Sequence, residues 1–479
     1  MSAALSSRDA AIAARQGEGS SPGAFSLRDA LGWLDIGVLH GRGDEMVDGV
    51  CTDSRRLAAG QLFVALRGER FDAHDFVARA GGQGAAAVMV ERPVAGLRAP
   101  ALRVPDTRRA LGELARGWRQ RFDPLLIAVT GSNGKTTVKE MLAAILAKAV
   151  GSEHRLATAG NLNNEVGVPL TIFGLRPAHR AAVVELGMNR PGEIAWLAEI
   201  AQPRVAVVNN AQREHQEFMG TVEATARENG SVFAALPADG VAVFPVDDAH
   251  APIWRALAGG RRVVGFGLGE AGDPVVRAAA DAMPAQFGMC IAGSEVMVRL
   301  AVEGRHNVRN ALAAAAAAHA GGIDADTIAA GLAAFRAPPG RLARVAARAA
   351  AGLVDDSYNA NPDSVRAAID VLAQAPAPRL LVLGDMGELG EQGPEFHREV
   401  GAYAAERGIE QLFALGEASA ATVAAFGAGG RHFADLDVLL RALEETLDGR
   451  QHVLVKGSRF MRMERVVAAL AAEPLGEAH

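Results

Sequence analysis

Apolar runs that end in glycine or a polar residue, each followed by a helical stretch, recur along most of this chain. LLIAVTG (125–131), AAVVELG (181–187) and RVAVVNNA (204–211) are continuously apolar rather than alternating. That pattern suits strands buried on both faces, as in a parallel sheet covered by helices. VVGFG (263–267) extends the series, and residues 296–302 suggest a second, antiparallel group. In the last third GLVDDSY, RLLVLGD, QLFALGE and HVLVKGS repeat it. Residues 306–319 read as a buried Ala-rich helix, and 363–374 as a helix with Val365, Ile369 and Leu372 on one face. The expected class is α/β. Its ligands should gather at the carboxyl ends of the strands, which Asp385, Glu388 and Lys456 follow.

At roughly 150 residues per domain, 479 residues imply about three domains. Residues 1–25 are mostly small and polar and read as a flexible tail. Residues 26–123 mix short strands (61–66, 85–91) with a helix over 107–121. Asp123-Pro124 breaks the chain, because proline disfavours a helical residue before it. A central domain then spans 124–341, with Pro338-Pro339-Gly340 as the turn into a last domain, 342–479.

Composition removes several classes of function. Forty-nine per cent hydrophobic residues can fill several cores. Lys+Arg 49 against Asp+Glu 55 leaves a net charge of −6, which argues against general affinity for nucleic acid or anionic membranes. Aromatics at 5% argue against a DNA-dependent ATPase. Cys51 and Cys290 are the only cysteines, so no disulfide framework or Cys-based zinc site is available, and a reducing cytoplasm is expected. The apolar stretch 311–318 falls far short of the ~18–20 residues a membrane span needs. Arg8, Asp9 and Arg15 interrupt any secretory h-region.

Thr130-Gly131-Ser132-Asn133-Gly134-Lys135-Thr136-Thr137 follows a strand and opens a helix, since Val138, Met141, Leu142 and Ile145 recur at helical spacing. Glycines let backbone N–H groups curl around phosphate oxygens, and the helix N-terminus adds a favourable field. Lys135 reaches the outer phosphates and Thr136 can hold magnesium. The spacing is G-x2-G-K-T; Val129 stands where the longer phosphate-loop pattern has its first glycine. ATP or GTP binding follows. Glu185 closes the run AAVVE, where a core strand should resist a charge, and His215 lies beyond Val208. A carboxylate near the phosphates can bind magnesium. The alternative for Glu185 is a salt-bridged strand terminus; His215, a soft ligand, can act through water.

The loop TGSNGKTT resembles that of the Mur ligases and the related folylpolyglutamate synthetases. Further segments resemble the Mur ligases that add D-alanyl-D-alanine to UDP-N-acetylmuramoyl-tripeptide. They are TDSRRLAAGQLFVALRGERFDAHDF (52–76), NLNNEVGVPLT (161–171), ELGMNRPGEI (185–194), GRHNVRNALAA (304–314), PGR (339–341), DDSYNANPDS (355–364), GDMGELG (384–390) and KGSR (456–459). The D-N-P-R motif of the diaminopimelate-adding sister is absent. The resemblance implies a UDP-sugar-binding domain, a central ATPase-like domain and a C-terminal Rossmann-like domain. It implies a cytoplasmic ligase using ATP and magnesium through an acyl phosphate, with the UDP-tripeptide and D-alanyl-D-alanine as substrates, acting as a monomer. By position, Thr52, Asp53, Ser54 and Arg55 would lie at the UDP-sugar site, and Gly131 through Thr137 would hold the triphosphate. Glu185 and His215 would join Thr136 as magnesium ligands. Asn307, Asn310, Arg341 and Asp356 would contact the nucleotide, and Lys456 the reacting phosphoryl group. Asn161, Asn163 and Asn164 would form a loop beside the metal; Tyr358, Asn359 and Asn361 would shape the dipeptide side.

One position departs from the family. A lysine, carbamylated to serve a second metal, is usual in a segment like A-K-G-E-I-F; here ENGSVF (228–233) puts Asn229 there. Asparagine cannot supply that bridging charge. Either Glu228 substitutes, or Asn229 faces solvent and the remaining groups hold the ion. Rival readings are the tripeptide-forming sister, a folylpolyglutamate synthetase, and a nucleotide-binding scaffold without catalysis, which only Asn229 supports.

Overall fold

The computed structural model describes residues 23–68 and 71–473, so the expected tail lies outside them up to residue 22. Ala24 and Phe25, assigned to that tail, belong to the fold instead. Phe25–Ser26 pairs antiparallel with Met46–Val47, and the Phe25 ring is buried against Trp33, Trp118 and Phe173.

The chain forms two compact units. One takes the chain up to Ala128 with Val150–Gly187 and Ala195–Arg204; the other takes Val129–Ala149, Met188–Ile194 and everything from Val205 on. These units do not follow the serial limits expected at 123 and 341. Strand–helix–strand crossovers return the chain to a sheet it has already left, so compactness regroups distant segments.

In the first unit a five-stranded sheet runs in the order Val38–His40, Ala101–Arg103, Ala87–Val90, Leu62–Val64, Val50–Cys51. Only the first of these strands is antiparallel to its neighbour. Phe63, Val77, Val88 and Val90 are buried together on it. The helix Thr107–Arg119 starts where Asp106 accepts hydrogen bonds from the N–H groups of Arg108 and Arg109. Further along, Arg155–Ala157 pairs in parallel with Ala181–Glu185.

In the second unit the strands Val205–Val208, Val241–Pro245, Arg262–Leu268 and Val276–Ala278 pair in parallel in that order. The antiparallel group is a hairpin of Phe287–Ile291 and Ser294–Val298. The helix Arg305–Ala320 buries Ala311 and Ala313 through Ala318 completely; side chains this small let it lie close to the parallel strands.

The last third forms a six-stranded sheet in the order Ala343–Val345, Gly352–Asp356, His452–Lys456, Arg379–Gly384, Gln411–Leu415, Gly430–Phe433. All but the first are parallel. One face packs Val365, Ile369 and Val400 from helices; the other packs Leu439, Leu443 and Val467. Each such side chain contributes about 1.5–3 kcal/mol when fully buried. Burial on both faces explains why these strands carry no alternation. Asp356 and Lys456 end adjacent strands in register.

Candidate active site

The strand Leu125–Thr130 delivers the phosphate loop, and the helix Lys135–Val150 follows it. Gly131 and Gly134 have φ of 131° and 81°, in the region that favours glycine. A Cβ at Gly134 would stand 2.4 Å from Asn310 Oδ1 and 2.8 Å from Asn209 Nδ2. Lys135 Nζ donates to Gly131 O (2.7 Å), Ser132 O (3.0 Å) and Glu214 Oε1 (2.8 Å), which fixes the ammonium over the loop. Ser132 N–H donates to Asn210 O, and the Ser132 hydroxyl accepts from Gln212 N–H.

Behind the loop lies a ladder of side-chain amides. Asn209 Nδ2 donates to Asn133 O (2.8 Å) and to Asn310 Oδ1 (2.9 Å). Asn310 Nδ2 donates to Asn307 Oδ1 (2.9 Å). The expected nucleotide contacts Asn307 and Asn310 are thus buried supports of the loop. Arg341 extends Nη2 to the Thr136 hydroxyl (3.2 Å) with its guanidinium 4.0 Å from the centre of the Tyr358 ring. Asn361, expected on the dipeptide side, pairs with the phosphate loop: its Nδ2 donates to Asn133 Oδ1 (2.9 Å), and Asn133 Nδ2 donates back (3.3 Å). Asn361 also caps the helix Pro362–Leu372.

At the strand ends of the last third, Lys456 Nζ is buried between Asp356 Oδ2 (2.6 Å) and Asn359 O (2.8 Å). Asp356 Oδ1 accepts from Leu342 N–H. The two residues expected at the nucleotide and the phosphoryl group therefore form an ion pair, which holds each in a defined place. His215 sits in the left-handed region (φ 50°), with Nδ1 2.6 Å from Glu388 Oε2. That imidazole holds the Glu388 carboxyl below its ordinary range.

Within the first unit, Glu185 is 2% exposed and accepts Asn163 Nδ2 at 2.8 Å. Asn164 Oδ1 accepts the N–H groups of Val166 and Gly167, a turn-stabilising role, while Asn161 is exposed. Arg55 forks onto Asp53 (2.9 and 2.8 Å) and pulls its carboxyl down to about 2. Ser54 is buried beside them in sequence, and Thr52 is partly exposed.

Asn229 is fully buried and its Oδ1 accepts the Thr130 hydroxyl at 2.8 Å, so it does not face solvent. Glu228 does not take over the missing charge: it accepts the N–H groups of Gly192 and Ile194 at the start of the helix Glu193–Ala201. Sequence reasoning passed over Asn209, Asn210, Gln212, Arg213 and Glu214. The signal available was a run of polar residues between an apolar strand and His215. Among the described residues no three His, Cys, Asp or Glu side chains cluster as a ready-made metal cage.

Three known domain types match consecutive stretches: the Mur ligase family catalytic domain over 46–119, the Mur ligase middle domain over 129–318, and the Mur ligase glutamate ligase domain over 340–459. UDP-N-acetylmuramoyl-tripeptide–D-alanyl-D-alanine ligase of Escherichia coli K12 is 43% identical over 91% of this chain and 96% of its own length. The Bacillus subtilis ligase of the same name is 34% identical over 90% of this chain and 94% of its own. The crystal structure of MurF from Acinetobacter baumannii superposes with a TM-score of 0.86, at 34% identity, covering 93% of this chain and 98% of that one. The MurF ligase of Thermotoga maritima in complex with ADP gives 0.77 at 28% identity, covering 88% and 96%. With these matches and the phosphate-loop geometry together, the chain belongs to the Mur ligase family.

Proposed function

We infer that this protein is an ATP-dependent carboxylate–amine ligase joining D-alanyl-D-alanine to UDP-N-acetylmuramoyl-tripeptide. The product is the UDP-muramoyl-pentapeptide used for peptidoglycan. Similarity to ligases of that name over nine-tenths of the chain supports the choice of substrates. One observation carries the chemistry. The phosphate loop and the strand ends of Asp356 and Lys456 belong to one compact unit, joined by the Asn133–Asn361 amide pair and the Arg341–Thr136 bond.

A carboxylate is a poor acyl donor. Transfer of the ATP γ-phosphoryl group to the tripeptide carboxylate breaks the bond to the ADP oxygen and makes an acyl phosphate. The dipeptide amine attacks its carbonyl carbon, and inorganic phosphate leaves from the tetrahedral intermediate. The first step brings an anion to a polyanion, so fixed cations lower its barrier. Lys135 is one; Lys456, paired with Asp356, is the second. Gly131 through Thr137 would wrap the triphosphate, with Arg341 set on Tyr358 at its side. Thr52, Asp53, Ser54 and Arg55 would receive the UDP-sugar, while Tyr358 and Asn359 would border the dipeptide.

The donor types present suit a magnesium ion. Glu185 is a buried carboxylate ending an apolar strand, and Thr136 supplies a hydroxyl oxygen. Magnesium completes its shell with phosphate oxygens and water, so no all-protein cage is required. Thr136 would hold it beside the phosphate loop, with His215 acting through water; Glu185, in the first unit, is a further candidate donor of the right chemistry. When bound, it offsets charge on the transferring phosphoryl group.

No helix among the described residues is long and apolar enough to cross a membrane, and both cysteines are free and buried. The reading puts a monomeric enzyme in the cytoplasm, with domain limits near 124 and 341. The test is ATP-dependent phosphate release with UDP-muramoyl-tripeptide. Release should require D-alanyl-D-alanine and should not be supported by diaminopimelate, lysine or glutamate. Release supported by one of those amines instead, or ATP binding without any release, would overturn it.

A further inference from the structure

We propose that Arg213 is a positioning residue for this reaction: it clamps the loop carrying Glu214 and His215 onto two helices of the last third. It thereby fixes how the phosphate loop meets the strand ends of Asp356 and Lys456. The guanidinium donates through Nε (3.1 Å) and Nη2 (2.6 Å) to Asp363 Oδ1, while the Arg213 N–H donates to Asp363 Oδ2 (2.9 Å). Nη1 and Nη2 reach Glu399 at 2.6 and 3.0 Å, and the guanidinium lies 5.1 Å from the centre of the Phe396 ring.

Asp363 belongs to the helix that Asn361 caps, and Glu399 to the helix Gly393–Glu406. All three side chains are less than a third exposed, so these charge-assisted bonds are shielded from water. The next two residues point elsewhere: Glu214 grips Lys135, and His215 meets Glu388. Three consecutive side chains thus tie the phosphate loop, the loop after Gly384 and two helices to one short segment. A planar fork suits this duty better than a flexible ammonium.

The kinetic part of the test rests on the ligase reading, whereas the structural part needs no substrate. Donor and acceptor dyes are attached at G260C, where a side chain meets open space, and at Val438→Cys, an exposed helix position. In R213A the energy-transfer distribution should broaden toward longer distances. Turnover should fall about tenfold or more while equilibrium affinity for a fluorescent ATP analogue stays within about twofold. R213K should recover part of the turnover. E399Q, a milder change that keeps the fold if R213A does not, should lower turnover about threefold with the same shift in distances. An unchanged distance distribution in R213A and E399Q overturns the proposal whatever the activity does. A wild-type enzyme inactive toward these substrates would overturn the ligase reading and leave the distance measurement to decide the clamp.

Discussion

A lysine ammonium held by two loop carbonyls and by Glu214 is aimed along the phosphate loop rather than into solvent. In the proposed reaction, removing it would leave the incoming charge of the phosphoryl step without a fixed cation at the loop. Lys135→Ala should therefore lower turnover about a hundredfold to a thousandfold, measured as phosphate release. His306 makes a different prediction. Protein packed around its ring, and then the charge of Lys456, lower its pKa to about 4. A depressed folded pKa means that the unfolded chain binds the proton more tightly. Stability from His306 is thus complete above about pH 6.5 and is lost as pH falls from there to about 4, by up to roughly 1.4 kcal/mol per pH unit. Denaturant unfolding of His306→Asn should show a shallower decline in that window than wild type; parallel curves would contradict the assignment. At this scale the form of the loop was legible, because glycines and a lysine set between a strand and a helix follow from local spacing. Glu214 and Arg213 were not, since what they do depends on Lys135, 79 residues earlier, and on Asp363, 150 residues later.

Many elements were legible where burial on both faces erased alternation, as in Leu125–Thr130 and Arg379–Gly384, although Val241–Pro245, buried along its whole length, was passed over. Short strands escaped notice: Val276–Ala278 is three residues with an arginine at its centre, and Gly430–Phe433 is a sheet edge carrying Arg431 and His432. Neither has enough apolar length to stand out from a loop. The phosphate loop itself depends on close approach. Gly134→Ala would drive a Cβ against Asn310 and Asn209 and strain the backbone at φ 81°. Affinity for an ATP analogue should fall at least about tenfold, read by equilibrium titration. Gly260→Ala, which meets nothing within 4 Å, should leave it unchanged. Equal effects would mean that the amide ladder does not shape the loop.

For the molecule as a whole, three Mur ligase domains follow one another along the chain, yet compactness gathers the phosphate loop with the last third. The serial order was readable from motifs; that regrouping was not, because crossovers are set by pairing between distant strands. The grouping has a chemical consequence. In the proposed reaction the loop, amide ladder, Arg341 and the Asp356–Lys456 pair would act on one phosphoryl group, which requires that they be held together, and bonds between side chains far apart in sequence hold them. The most direct measurement starts from UDP-muramoyl-tripeptide labelled with 18O in its terminal carboxylate, incubated with ATP and D-alanyl-D-alanine. An acyl phosphate requires one labelled oxygen to leave in each inorganic phosphate as the pentapeptide forms. Unlabelled phosphate alongside the pentapeptide would contradict the account.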